Sequence, residues 1–202
     1  MGEHSEILKN EQFSVDTAGH PDIDGILVVQ NENLRSSLNE RGIKDEDLPE
    51  RGFLISPLSA EELTEIISEP ESHLLLVARS EEKIEGYALG YDLDKWKKED
   101  PMWEKQLVFR KRKTLPLGKT LYFRHVAVAP EIKGRGVGRM MEHDFFEEAK
   151  RRGYQYIIGE ILRDPVVNKR SMDVHKTSGF EVIGENFEEG MVWDVVLKNL
   201  EK

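Results

Sequence analysis

Three glycines at alternate positions, Gly134, Gly136 and Gly138, follow the apolar run Val126-Ala127-Val128-Ala129-Pro130 and lead into a helical pattern. Glycine adopts backbone angles that other residues resist, so such a loop can turn consecutive N–H groups toward one point. The helix that follows adds the positive end of its dipole. That combination suits an anion, a phosphate first of all. Two phosphate-binding patterns fail on specific residues. A Walker loop needs Lys and then Ser or Thr after its last glycine, where this chain has Arg139-Met140. A dinucleotide fingerprint needs another glycine where Arg139 stands, and it opens the first βαβ unit instead of falling late in the chain. A tight strand-to-helix turn without a ligand is the plainer use of the same glycines.

The neighbouring elements are those such a loop needs. Leu121–Val128 is rich in β-formers and ends at Ala129-Pro130, where proline cannot continue a ladder. Val137, Met140, Met141, Phe145 and Ala149 then recur at helical spacing, predicting a helix over about 137–152 that stops at Gly153. Gln155–Leu162 reads as a buried strand. Asn168 is placed to cap a second helix and Gly179 to end it before Phe180.

These residues resemble the GCN5-related N-acetyltransferases. The acyl-CoA loop of that family reads Gln or Arg, two residues, Gly, one residue, then Gly or Ala; Lys133, Gly136 and Gly138 occupy its positions. Asn168-Lys169-Arg170-Ser171 through Gly179-Phe180 resembles the family's second block, Asn, two residues, a small residue, helix, aromatic, Gly-Phe. The match is specific over residues of about 120–185 and architectural elsewhere. The resemblance implies an α/β fold with a mixed, mostly antiparallel sheet of about six to seven strands flanked by about four helices. It implies acetyl-CoA as acyl donor, no metal, and transfer to a primary amine of a small molecule or peptide. A non-catalytic acyl-CoA-binding or regulatory module is the alternative.

The resemblance also assigns contacts. Lys133 keeps the charge of the motif's first position but loses its side-chain geometry. Pyrophosphate contact therefore falls mainly to backbone amides from Arg135 through Gly136, Val137 and Gly138 to Arg139, with Gly134 shaping the turn. Val126, Ala127 and Val128 fit the strand whose bulge exposes backbone groups to the pantetheine arm and thioester carbonyl. Asn168 and Ser171 fit the cofactor-orienting positions of the second block. His175 stands where many relatives carry a tyrosine that protonates the departing thiolate, a part that histidine can also play; a histidine packed beside Phe180 is the structural alternative.

An ammonium acceptor with a pKa of about 10 must lose a proton before it attacks a thioester. Glu160 and His125 are the candidate bases. Strict alternation puts His125 on the face of Phe123 and Ala127, although a bulge can invert that. Glu160 sits in an apolar strand, where a carboxylate must be paired or put to work; Arg124 and Arg163 are its candidate structural partners.

With 202 residues and 38% hydrophobic content, the chain can form one acyltransferase domain. It has no cysteine, hence no disulfide or thiol chemistry, and no twenty-residue apolar run for a membrane span. The first residues lack a secretory core, so a cytoplasmic setting is the default expectation. The net charge of −10 argues against nucleic acid as a partner and would not repel an amine. Residues 105–119 offer the material for a basic face that a tRNA-acylating member would need. Residues 92–119 are long for a connection and hold nine Lys or Arg against five Asp or Glu, with Trp96 and Trp103 among them. They read as an insertion serving as a substrate-side lid or as a homodimer contact.

The pattern elsewhere predicts a first strand at Phe13–Ala18 and a helix opened by His20-Pro21-Asp22 whose stripe runs through Leu34 into Leu38. It also predicts a helix capped at Ser59, a hairpin over His73–Gly90, and a closing strand pair at Phe180–Gly184 and Met191–Leu197.

Overall fold

The computed structural model describes residues 13–201. Its eight strands form a single sheet in the order β1-β2-β3-β5-β6-β8-β7-β4. They are β1 Ser14–Thr17, β2 His73–Ser80, β3 Lys83–Asp92, β4 Leu107–Phe109, β5 Thr120–Val128, β6 Tyr156–Asp164, β7 Glu181–Glu188 and β8 Met191–Asn199. Pairing is antiparallel except between β5 and β6. Seven helices surround it: α1 Ile23–Asn33, α2 Arg35–Glu40, α3 Ala60–Ser68, α4 Leu93–Glu99, α5 Trp103–Gln106, α6 Val137–Arg151 and α7 Lys169–Thr177. Both counts exceed the expectation from sequence. β4 and α5 are three and four residues long, too short to leave a periodic signal.

The central strands are apolar without alternation because helices cover both faces. Leu75 and Val77 of β2 join Tyr87 and Leu89 of β3 under Ile26 and Val29 of α1 and Leu63 and Ile66 of α3. Leu74, Leu76, Ala88 and Leu121 meet Phe145, Phe146 and Ala149 of α6 on the opposite face. We call these the α1 face and the α6 face. The capping box at Ser59 forms as expected: Glu62 N donates to Ser59 Oγ at 3.1 Å and Ser59 N donates to the Glu62 carboxylate at 2.7 Å.

The stripe from α1 does not continue unbroken. Leu34 is extended and bridges Leu54, with Leu54 N donating to Asn33 O and Arg35 N donating to Leu54 O. A long-range backbone pairing thus overrides local helix preference, and it draws residues 52–54 toward the middle of the sheet.

Two irregularities of β5 create the site. β5 pairs with β6 only from Thr120–Phe123, against Tyr156–Gly159; beyond Phe123 the two parallel strands separate. On its other edge the register against β3 slips: Leu89 faces His125 and Gly90 faces Phe123, leaving Arg124 as the extra residue of a bulge. The slip inverts the alternation. Phe123 stays on the α6 face, whereas His125 and Ala127 turn to the α1 face with Tyr87. The expectation that His125 shares a face with Phe123 is therefore corrected, and the bulge is the cause.

The insertion over 92–119 folds back on the α1 face. Trp103, Leu107 and Phe109 pack into that core, and β4 adds to the sheet edge beside β7. Among the described residues, no helix is long and apolar enough to cross a membrane.

Candidate active site

The gap between β5 and β6 opens into a cavity of about 570 Å³. Ala129 N donates to Glu85 O at 2.8 Å, which sets the phase of the β3–β5 ladder. In an antiparallel pair the bonded positions alternate, so Ala127 and His125 also bond toward β3. Val126 and Val128 consequently turn their N–H and C=O groups the other way, into the gap that β6 has left. The Val128 carbonyl is taken by Asn33 Nδ2 at 3.1 Å.

At one end of the cavity lies the glycine loop. Gly134 and Gly136 have φ of 86° and 88°, and a Cβ at either would project into open space. These glycines are needed for backbone conformation and leave room beside it. Gly136 begins α6, whose first N–H groups have no side-chain cap; Val137, Gly138 and Arg139 line the cavity there. Lys133 Nζ donates to the Arg51 carbonyl at 3.0 Å. Desolvation of its ammonium, then the charges of Arg170 and Arg51, pull its pKa to about 8. Lys133 is exposed and shares this end of the cavity with two other cations, Arg51 and Arg170. A bound polyanion would relieve their mutual repulsion. The open cradle, uncapped helix start and three cations fit the pyrophosphate of a CoA thioester.

The other end is built from side chains on the α1 face. The Glu160 carboxylate accepts from Tyr122 Oη at 2.7 Å and from Asn186 Nδ2 at 2.8 Å. Burial raises its pKa above the ordinary carboxylate range, with these donors opposing the shift. No cation pairs with it among the described residues. Arg124 donates instead to Tyr91 Oη at 2.8 Å, and Arg163 pairs with Glu185 and Asp194. The structural ion pairs weighed from sequence are thus not formed. Trp96 stacks on Tyr122 with ring centroids 4.5 Å apart, and Trp103 meets the same ring edge-on at 5.7 Å.

The remaining candidates occupy the cavity wall in different capacities. His175 is buried between Phe123 and Phe180, and its Nδ1 lies 2.9 Å from the Ser171 carbonyl. A carbonyl only accepts, so Nδ1 carries the proton. Burial lowers the pKa to about 4, leaving a neutral ring whose Nε2 is an acceptor. His125 shares a 3.1 Å hydrogen bond with Tyr87, and burial followed by the charge of Arg124 takes its pKa to about 3. Asn168 caps α7 by accepting from Ser171 N at 3.3 Å, while its Nδ2 donates to Phe53 O at 2.9 Å. It therefore clasps the 52–54 segment to α7.

Val126, Ala127, Val128, Lys133, Gly134 and Ser171 also line the cavity. Arg135 does not, and its N–H donates to Ile132 O at 3.2 Å. The backbone contact expected of Arg135 is corrected on that ground: the turn consumes its amide. Residues that sequence reasoning missed include Tyr122, Asn186, Glu188, Trp193, Arg51 and Arg170. The last two could have been suspected as cations flanking a glycine and the Asn168 cap. The others depend on strand register.

A family model described as the acetyltransferase (GNAT) family matches residues 41–180, and the chain belongs to that family. It is an acetyl-CoA-dependent N-acetyltransferase. Structural similarity agrees on the fold. The yncA structure from Salmonella typhimurium, solved with its cofactor acetyl-CoA, superposes with a TM-score of 0.64 at 16% identity, covering 94% of this chain and 95% of that one. The ribosomal-protein-S18-alanine N-acetyltransferase of Escherichia coli gives 0.61 at 11% identity, covering 93% and 94%. The paia N-acetyltransferase of Thermoplasma acidophilum, in complex with coenzyme A, gives 0.61 at 13%, covering 93% and 98%. No curated protein sequence matches the chain significantly.

Proposed function

We propose that the acceptor is a primary amine of a small molecule or peptide, deprotonated by Glu160. The observation that carries this reading is the Glu160 carboxylate, held between Tyr122 and Asn186 and free of any cation among the described residues. A carboxylate with a raised pKa is a better base than an ordinary one. Its charge, with those of Asp100 and Glu188 on the same cavity wall, attracts an ammonium and holds it before proton removal.

Acetyl-CoA supplies the activated thioester. Lys133, Arg51, Arg170 and the first amides of α6 hold its phosphates, and the N–H groups of Val126 and Val128 point where a thioester carbonyl can be polarised. Such preorganised donors carry much of the catalysis in acyl transfer. His175 acts as a positioning residue: with its proton committed to Ser171, it fixes the start of α7 against Phe123. Residues 13–201 work as one acyltransferase unit in which the 92–119 insertion roofs the acceptor end.

Glu160→Gln tests this. It keeps an acceptor for Tyr122 but removes the base, so kcat/KM at pH 7 should fall by about a hundredfold. The melting-temperature rise given by acetyl-CoA should persist. In the wild type, activity should climb with pH through a point above the ordinary carboxylate range, because only the ionised form accepts a proton. Unchanged kcat/KM in Glu160→Gln would reject Glu160 as base.

A further inference from the structure

The acceptor end of the cavity holds more negative charge than one ammonium needs. Strand register explains how it gathers there. Tyr122 pairs with Ile158, so Glu160 and Leu162 continue the same face; Leu162 faces Trp193, Trp193 faces Asn186, and Glu188 lies two residues beyond on that side of β7. Asp100 comes from the insertion, where its carboxylate accepts from the N–H groups of Met102 and Trp103, both at 3.1 Å.

Several buried acids elsewhere in the protein are matched to a cation, although Glu142 accepts only from Ser178 Oγ, at 2.7 Å. Asp22 pairs with Arg79 at 2.7 Å, Glu85 with Lys83 at 3.1 Å, and Asp194 with Arg163 at 3.2 Å. Glu160, Glu188 and Asp100 have no such partner among the described residues, although Glu188 is pushed up by desolvation and then by the charge of Asp100. Arg124 also lines the cavity, but its guanidinium is turned to Tyr91 and lies 5.5 Å from the Trp96 ring. A second kind of observation marks the same place. Trp103 is only 1% exposed and lines the cavity, with its indole N–H directed at the Glu160 carboxylate. The indole N–H groups of Trp96 and Trp193, which also line the cavity, have no hydrogen-bond partner. Aromatic faces beside unpaired carboxylates make a cation site, and unsatisfied indole donors invite polar atoms between the charges.

We propose that the acceptor carries a second positive charge, with Glu160 taking the amine to be acetylated and Glu188 and Asp100 holding the other cation against the tryptophans. This rests on the acetyl-transfer reading above. The shared chemistry is a dicationic amine, which a free diamine or a basic peptide could supply.

The test uses the full chain with matched acceptors: 1-aminobutane against 1,4-diaminobutane, 1-aminopentane against 1,5-diaminopentane, and a short peptide with and without a lysine beside its amino terminus. Thiol release gives kcat/KM, and the acetyl-CoA-induced rise in melting temperature is read in parallel. The dicationic member of at least one pair should be favoured by about tenfold or more, mostly through KM, and the advantage should shrink at high salt. Glu188→Gln and Asp100→Asn, each retaining the acetyl-CoA response, should reduce that ratio toward one. A preference for the lysine peptide over the free diamines supports the chemistry and names the peptide as its source. Equal rates within every pair, or a ratio untouched in both variants, overturn the proposal and leave acetyl transfer standing. Absence of both the acetyl-CoA response and turnover of every amine overturns the transfer reading and this proposal with it.

Discussion

The two ends of the cavity are made of different materials. The cofactor end is largely backbone: the amides that β5 exposes at Val126 and Val128, two glycines with positive φ, and the uncapped start of α6. The acceptor end is almost wholly side chain, with Tyr122, Glu160, Asn186, Glu188, Trp96 and Trp103 drawn from five separate elements. Backbone groups are the same whatever the residue, so a chain can fix the donor site while the acceptor site varies freely around it. A thioester common to many reactions needs the first kind of site, and choice among amines needs the second.

The sharpest way to break this comparison is to spoil the backbone end by a side chain. Gly136→Glu adds both a Cβ at φ 88° and a negative charge in the open space beside the loop. Acetyl-CoA affinity should fall by at least about a hundredfold, read as loss of its stabilisation in a melting experiment. Gly153→Ala is the control. Gly153 has φ of 80° at the far end of α6 with nothing within 4 Å, so it should lower stability by about 1 kcal/mol yet leave acetyl-CoA binding alone. Equal loss of binding in both variants would mean that strain in α6, and not the cradle, governs affinity.

The same contrast explains what could be read before folding. Gly134, Gly136 and Gly138, the Asn168 cap and the capping box at Ser59 are local devices, and spacing exposes them. Glu160 was visible as a misplaced charge in an apolar strand. Its donors were not, because Asn186 reaches it only through β8, and Tyr122 only through a parallel pairing that lasts four residues. The face of His125 turned on one extra residue at Arg124, a slip that period-two reasoning allows but cannot locate. β4 and α5 lay hidden for another reason: too few residues to repeat.

If the backbone end carries the chemistry, a side chain on its border should matter less. His175→Gln should lower kcat by less than about tenfold, since the native ring offers Nε2 as an acceptor and not as an acid. Melting temperature must be measured beside the rate, because the ring is packed between Phe123 and Phe180. A loss of about a thousandfold in a folded variant would return His175 to the part of proton donor.

The smallest expected effect on the site concerns His125, at the bulge that separates the two ends. Its folded pKa of about 3 lies below the 6.5 of the free side chain. As pH falls through 6.5 the unfolded chain takes up a proton that the folded chain refuses, so stability is full above 6.5 and is lost steadily down to about 3. His175 behaves likewise down to about 4, whereas Glu160 and Glu142, whose pKa values are raised, hold protons in the fold and work the other way above the ordinary carboxylate range. The wild-type acid profile therefore mixes opposing slopes, and only a difference isolates one residue. Between pH 6.5 and 5.0, wild type should lose about 2 kcal/mol more than His125→Gln, measured by urea unfolding at each pH. Parallel profiles would show that His125 is protonated in the fold. The bulge would then have placed a charged imidazolium beside Tyr87, and an ionisable group would have to be added to the backbone groups that β5 contributes to the cavity.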